Sequence, residues 1–167
     1  LQVLIQYKKA LKQRNALLKQ FFEKGYYDSI TLEIYDKQLI EHGNIIHSER
    51  KKFLKQLTPV FNKYYTEISE GNEVVDLGYK SQLNDADFRT LLFESKSKDR
   101  ISKTTHVGIH KDDILFNMNT YPIKKIASQG QQKSFLIALK LAQFYFIKEQ
   151  LGFKPILLLD DIFDKLD

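Results

Sequence analysis

Ala127-Ser128-Gln129-Gly130-Gln131-Gln132 opens a stretch of helical character, and Pro155-Ile156-Leu157-Leu158-Leu159-Asp160-Asp161 follows it, with Leu166-Asp167 beyond. Between the two stretches, Phe135, Ala138, Leu139, Ala142, Phe146 and Ile147 recur at helical spacing. That periodicity predicts a helix over 131–150 with a wide apolar face, stopped by Gly152. Pro155 then starts a predicted buried strand that ends on two carboxylates. Helix followed by apolar strand is the second half of an α/β unit, most often part of a parallel sheet.

Both ends of this unit carry residues suited to phosphate chemistry. A helix start presents free N–H groups and the positive end of its dipole, so the Ser128 turn is an anion site by construction. Ser128 adds a hydroxyl, and Gly130 permits close backbone approach. At the far end, Asp160 offers a hard oxygen ligand for Mg²⁺, and Asp161 can orient or deprotonate a water. Taken singly, each feature has a plainer reading, an ordinary helix cap and an ordinary strand end. A phosphate loop of the form Gly-x-x-x-x-Gly-Lys-Ser/Thr occurs nowhere in the 167 residues. The chain also begins inside a helical pattern without a methionine and stops directly after Leu166-Asp167. It reads as a stretch cut from a longer ATPase.

Composition narrows the classes. Hydrophobic residues make up 43% and charged residues 28%, enough for a core and a solvated surface. No apolar run approaches the roughly 20 residues of a membrane-spanning helix. With no cysteine, disulfides and thiolate metal sites are excluded. The net charge of +5 is unevenly spread: residues 1–65 hold 12 Lys/Arg against 6 Asp/Glu, and the remainder 14 against 15. A phosphate backbone fits such a basic segment, as does a solvated lysine-rich helix face. Lys8, Lys12, Arg50, Lys51 and Lys55 are the candidate DNA contacts.

Upstream, Leu4, Tyr7, Leu11, Leu18 and Phe21 form one helical stripe over residues 1–22, with Gly25 as the stop. Asp28, Ser29 and Thr31 offer caps for a second helix, whose stripe runs Leu32, Tyr35, Leu39, His42, Ile46, Glu49, Phe53 and Leu57. Thr58-Pro59 predicts a break and a short restarted helix ending near Gly71. The two long stripes are expected to pack as an antiparallel arm. Arg14-Asn15 interrupts the first stripe, which suggests a buried ion pair or a contact to another lobe. Residues 73–81 read as a strand. A helix capped by Asp85 or Asp87 is predicted to about Lys96, then a polar loop over 96–100. Short strands are predicted at 104–108, 114–117 and 121–126. Gly108-Ile109-His110-Lys111-Asp112-Asp113 is either a polar corner or a cluster facing nucleotide or DNA, with His110 as a switch.

The order of these motifs resembles the ABC-type ATPase head, and more closely the RecF family of bacterial recombination mediators. The resemblance rests on Ser128-Gln-Gly-Gln-Gln-Lys-Ser134, Ala138-Leu-Lys-Leu-Ala142 and Pro155 to Asp161, and upstream on Leu11 to Leu18, Gly108 to Asp113 and Glu73 to Leu83. The chain departs from the family pattern at Ile109, Lys111 and Asp164-Lys165.

The resemblance implies a mixed α/β fold, with a helical arm lobe over residues 1–100 and the C-terminal half of an ABC-type, P-loop NTPase-like head over 101–167. It implies that Ser128, Gln129, Gly130 and Gln131 form the signature motif, which contacts ATP held by the other subunit of a head-to-tail dimer. Asp160 becomes the Mg²⁺ ligand, Asp161 the catalytic carboxylate and Asp167 the D-loop aspartate. For the intact protein it implies slow, DNA-dependent ATP hydrolysis, ATP-dependent homodimerisation on duplex DNA and at single-strand/duplex junctions, and work with RecO and RecR in loading RecA at gaps. The setting would be DNA replication, recombination and repair in the cytoplasm, within the SOS response. The chain alone is expected not to hydrolyse ATP, since nothing in it cradles a β-phosphate. Other expectations are another SMC-like head, or a non-enzymatic helical module binding DNA or a partner.

Overall fold

The computed structural model describes residues 1–69 and 73–158. Asp160, Asp161 and Asp167, with the end of the predicted apolar strand, lie outside the described residues. Helix α1 spans Gln2–Lys24 and stops at Gly25, which takes the left-handed conformation at φ 66°. Asp28 starts the next helix by accepting from the N–H groups of Ile30 and Thr31 at 3.0 and 3.1 Å and from the Thr31 hydroxyl. That hydroxyl, foremost among these donors, holds the Asp28 carboxyl below its usual range.

Helix α2 then runs unbroken over Ser29–Ile68, through Pro59, where the sequence predicted a break. An interior proline removes one N–H and crowds the turn before it, at about 3 kcal/mol. Leu54, Leu57, Phe61 and Tyr65 are buried on either side of it. Burial of such side chains is worth roughly 1.5–3 kcal/mol each, which outweighs the proline. The Thr58 hydroxyl also turns inward, donating to the Leu54 carbonyl at 2.8 Å, instead of capping a new helix.

Two compact units make up the chain, and each draws on two separate stretches. The first comprises Leu1–Lys51 and Lys80–Asp113; the second comprises Lys52–Tyr79 and the described residues from Ile114 onward. This division interleaves along the sequence, whereas the expected one was sequential, with its boundary near residue 100.

In the first unit, α1 and the start of α2 form the expected antiparallel pair. Leu18 and Phe21 pack with Leu32, and Tyr7 and Ala10 pack with Leu39, so positions climb in one helix as they fall in the other. Helix α3, Phe88–Ser102, is capped by Asp87 and brings Phe88 and Leu92 into the same core. It continues through the predicted polar loop because Asp99, on its inner face, is fully buried. Arg14 explains that burial. Its Nε donates to Asp36 Oδ1 at 2.6 Å, and its Nη1 donates to Asp99 Oδ2 at 2.7 Å and Thr105 Oγ1 at 2.8 Å. Asn15 Oδ1 accepts from the Thr105 N–H and hydroxyl. The interruption read in the stripe is therefore a buried ion pair.

Residues 104–108 form no strand. Thr105 is held by Arg14 and Asn15, and Gly108 turns the chain at φ 121° into a short 3₁₀ turn, Ile109–Lys111. A Cβ at Gly108 would lie 2.6 Å from Tyr7 Oη and from Phe88 Cζ, so the corner requires glycine.

In the second unit, β1 (Val75–Lys80), β2 (Asp113–Met118) and β3 (Tyr121–Pro122) lie side by side in that order, apart from Lys80 and Asp113, which belong to the first unit. Met118 stands opposite Tyr121 in an antiparallel hairpin. Its two turn residues, Asn119 and Thr120, have φ of 47° and 72°, the handedness that matches strand twist. Past Pro122 the predicted strand gives way to a helical turn, α4 (Ile123–Ile126). Helix α5 spans Gln129–Leu151 and ends at Gly152, φ 70°. Its Phe135, Ala138 and Ala142 pack with Phe61, Tyr65, Val75, Leu77 and Met118. Ile147, assigned to that face by its spacing, is 43% exposed.

Pro155–Leu158 is not in a strand, and Ile156 and Leu158 are 88% and 87% exposed. A strand exists only by pairing, and no strand among the described residues pairs with this segment. Among the described residues no helix is long and apolar enough to cross a membrane.

Removing one partner from a buried charge pair costs about 3–5 kcal/mol because the other is left uncompensated. Arg14→Ala should therefore lower the unfolding free energy obtained from urea titration by a matching amount. A change under 1 kcal/mol would show that the network contributes nothing net.

Candidate functional site

The Ser128 turn is built by one residue pair and secured by a second. Ser128 caps α5 at φ −61° and ψ 167°. Its Oγ accepts from the Gln131 N–H at 3.2 Å, and Gln131 Oε1 accepts from the Ser128 N–H at 2.7 Å. This reciprocal box spends one acceptor position of the Ser128 hydroxyl and leaves its O–H free to donate outward. Gln132 Nε2 donates back to the Ala127 carbonyl at 3.0 Å, fixing the entry to the turn.

Glu73 supplies the second hold. Its Oε1 accepts from Gln131 Nε2 at 2.5 Å, and its Oε2 accepts from the buried Tyr65 hydroxyl at 2.8 Å. Burial, reinforced by that bond and by the carboxylate charge, pushes the Tyr65 phenol above its ordinary pKa. Tyr65 thus stays a donor throughout the neutral range and anchors Glu73. In the sequence, Glu73 is marked only as the start of the Glu73 to Leu83 stretch. Its position beside Gln131, 58 residues away, is a product of folding.

The four predicted signature residues consequently divide. Ser128, Gln129 and Gly130 are exposed, whereas Gln131 is half-buried with its amide engaged on both sides. The first N–H groups of a helix have no acceptor inside it. With Gln131's taken by Ser128, those of Gln129 and Gly130, both exposed residues, have no acceptor within the helix. Lys124 and Lys125, both exposed, precede the turn. A Cβ built on Gly130 would meet only Ser128 Oγ, at 3.9 Å. Among the described residues no packing contact needs glycine there. The donor set and the open space fit an anionic oxygen arriving from outside, as a nucleotide phosphate would.

The remaining predicted residues do not join this turn. Asp160, Asp161 and Asp167, for magnesium, catalysis and the D-loop, are outside the described residues. Among the described residues no cluster of three His, Cys, Asp or Glu could hold a metal ion. Of the candidate DNA contacts, Lys8, Lys12, Lys51 and Lys55 are exposed. Arg50 is committed inside its unit: its Nη1 donates to the Ile109 carbonyl at 2.7 Å and to Asp112 Oδ2 at 2.9 Å. His110 is likewise placed structurally, accepting from the Tyr7 hydroxyl at Nδ1, 2.9 Å, and donating from Nε2 to the Thr105 carbonyl at 3.1 Å. Burial, the main cause, lowers its pKa and keeps the ring neutral.

No family model matches the chain. Curated relatives do. The DNA replication and repair protein RecF of Flavobacterium johnsoniae is 56% identical over 98% of the chain and 46% of its own length. RecF of Cytophaga hutchinsonii is 48% identical over all of the chain and 44% of the relative. A solved structure of the recombination mediator RecF with ATP, from the RecFOR pathway, superposes with a TM-score of 0.89 at 34% identity, over 99% of the chain and 46% of that protein. The chain spans less than half the length of the relatives it matches. The likeness to RecF runs along nearly the whole of this chain in sequence and in fold, and is consistent with a helical portion plus part of an ATPase head.

Since Gly130 meets no internal demand, Gly130→Ala should leave the melting temperature unchanged or slightly raised, alanine being better than glycine in a helix by about 1 kcal/mol. A marked loss of stability would show that the glycine serves the fold.

Proposed function

We propose, from the chain's place in the RecF family, that it supplies the trans-acting half of an ATP site in a DNA replication and repair protein. The observation that carries this is the exposed donor set at the start of α5: the Ser128 hydroxyl and the N–H groups of Gln129 and Gly130, beside a glycine its own fold does not need. These groups bind and orient a terminal phosphate oxygen of ATP held by a second subunit. Hydrogen bonds to an anion at a helix start are charge-assisted and gain from the dipole. Gln131 keeps the turn in shape and makes no phosphate contact.

Asp160 and Asp161 serve the nucleotide of their own subunit. Asp160 would hold Mg²⁺, which neutralises phosphate charge when bound, and Asp161 would take a proton from the attacking water. Asp167 contacts the opposite subunit. ATP thereby closes a head-to-tail homodimer on duplex DNA or at a single-strand/duplex junction, and slow hydrolysis reopens it. Lys8, Lys12, Lys51 and Lys55 contribute to the phosphate path, while Arg50 acts through the Asp112 corner it braces. Partnership with RecO and RecR, leading to RecA loading at gaps in the cytoplasm, completes the reading.

In the intact protein, Ser128→Arg should abolish ATP-driven dimerisation, followed by light scattering, with ATP binding by the monomer retained. A variant that still dimerises with ATP would remove Ser128 from the interface.

A further inference from the structure

At the turn between α1 and α2, the first unit holds a cavity of about 510 Å³ that the nucleotide reading leaves unused. Its floor is apolar, made by the buried Leu18 and Phe21. Its mouth keeps large apolar groups in water: Phe22 is 59%, Tyr26 49% and Ile101 78% exposed. One cation, Arg100, lines it, and a second, Lys103, sits over one of its lining rings. Arg100 lies 4.1 Å from the centre of the Tyr27 ring, and the Lys103 ammonium 3.8 Å over Phe22.

Lys103 closes α3 in the left-handed conformation at φ 60°, where glycine would be the unstrained choice. Backbone strain is thus accepted while the ammonium sits above the ring. Neither cation makes an ion pair with a carboxylate among the described residues. The two carboxylates whose charge reaches the lining Tyr27, Asp36 and Asp99, are engaged internally by Arg14. The mouth is therefore positive as well as apolar.

We infer that this cavity is a docking site for an acidic peptide segment of a partner protein, with a large apolar side chain seated on Leu18 and Phe21 and flanking carboxylates on Arg100 and Lys103. An apolar pocket rimmed by fixed charge is the usual form of a peptide anchor site. Single-stranded nucleic acid fits less well. Base stacking needs open ring faces, and here the two cations lie over Tyr27 and Phe22. A strand also calls for a line of cations along its phosphates, where this mouth has a pair. This site is separate from the Ser128 turn and does not depend on the nucleotide reading.

The test uses the intact protein and a panel of fluorescein-labelled peptides, each with Phe, Trp or Leu set among Asp and Glu, read by anisotropy. Controls are the same peptides with Lys for the acids, and an oligothymidylate. Acidic peptides should bind saturably and the lysine set should not. Arg100→Glu and Ile101→Asp should each weaken binding by roughly tenfold or more. Ile101 is exposed, so its replacement spares the core and decides the matter if Arg100→Glu perturbs folding. ATP-driven dimerisation should persist in both variants, keeping this outcome distinct from that of the nucleotide site. Absence of any acidic binder, or binding indifferent to both substitutions, would overturn the proposal. So would an oligothymidylate affinity that fell with both substitutions while peptide binding did not.

Discussion

A guanidinium shut away from water must be neutralised where it stands, and the first unit is organised around that requirement. Arg14 is wholly buried and draws α1 to α2 through Asp36, to α3 through Asp99, and to the segment after α3 through Thr105. Asp99 is shared further: its Oδ1 accepts from the His106 N–H at 3.0 Å. Apolar contacts alone would let these helices slide, since burial is non-directional. Charge-assisted bonds at 2.6–2.8 Å fix their register. The register in turn sets what surrounds the arm-end cavity, because the α3 turn that carries Asp99 inward carries Arg100 to the Tyr27 ring.

The second unit solves a smaller version of the same problem with neutral groups. Glu73 stands between the Tyr65 hydroxyl and the Gln131 amide, so both of its oxygens are bonded. Gln131 transmits that hold to Ser128 through the capping box. The consequence is a helix start whose shape is set from within while its free donors belong to exposed residues. Preorganised donors lose little freedom when an anion arrives, which suits the phosphate contact proposed for this turn.

Much of this was legible from residue order. Gly25 and Gly152 marked helix ends, Ser128 marked a helix start, and Arg14 stood out as a charge in an apolar stripe. Its partners were not legible, for Asp36 and Asp99 are 22 and 85 residues away and only packing brings them close. Local propensity misled wherever burial opposed it. Pro59 signals a helix end, yet Leu54, Leu57, Phe61 and Tyr65 carry α2 through it. Lys96 to Arg100 looks like loop, yet Asp99 needs a helical position to meet Arg14. Thr104 to Gly108 suggested a strand, but Val107 and Ile109 pack around a glycine corner. Within the site, the turn residues were legible by type, while the separation of exposed Ser128, Gln129 and Gly130 from the committed Gln131 required coordinates.

The proposed arrangement has Ser128 serve the nucleotide of a partner and Asp160 that of its own subunit. Mixing two intact-protein variants tests it most directly. Ser128→Ala alone and Asp160→Ala alone each damage both sites of their homodimers. In a mixed dimer, the Asp160→Ala subunit lends its normal Ser128 to the normal Asp160 of the other, restoring one complete site. Steady-state ATP hydrolysis by the mixture should exceed that of either variant alone. A mixture whose rate is the average of its two components would contradict the arrangement.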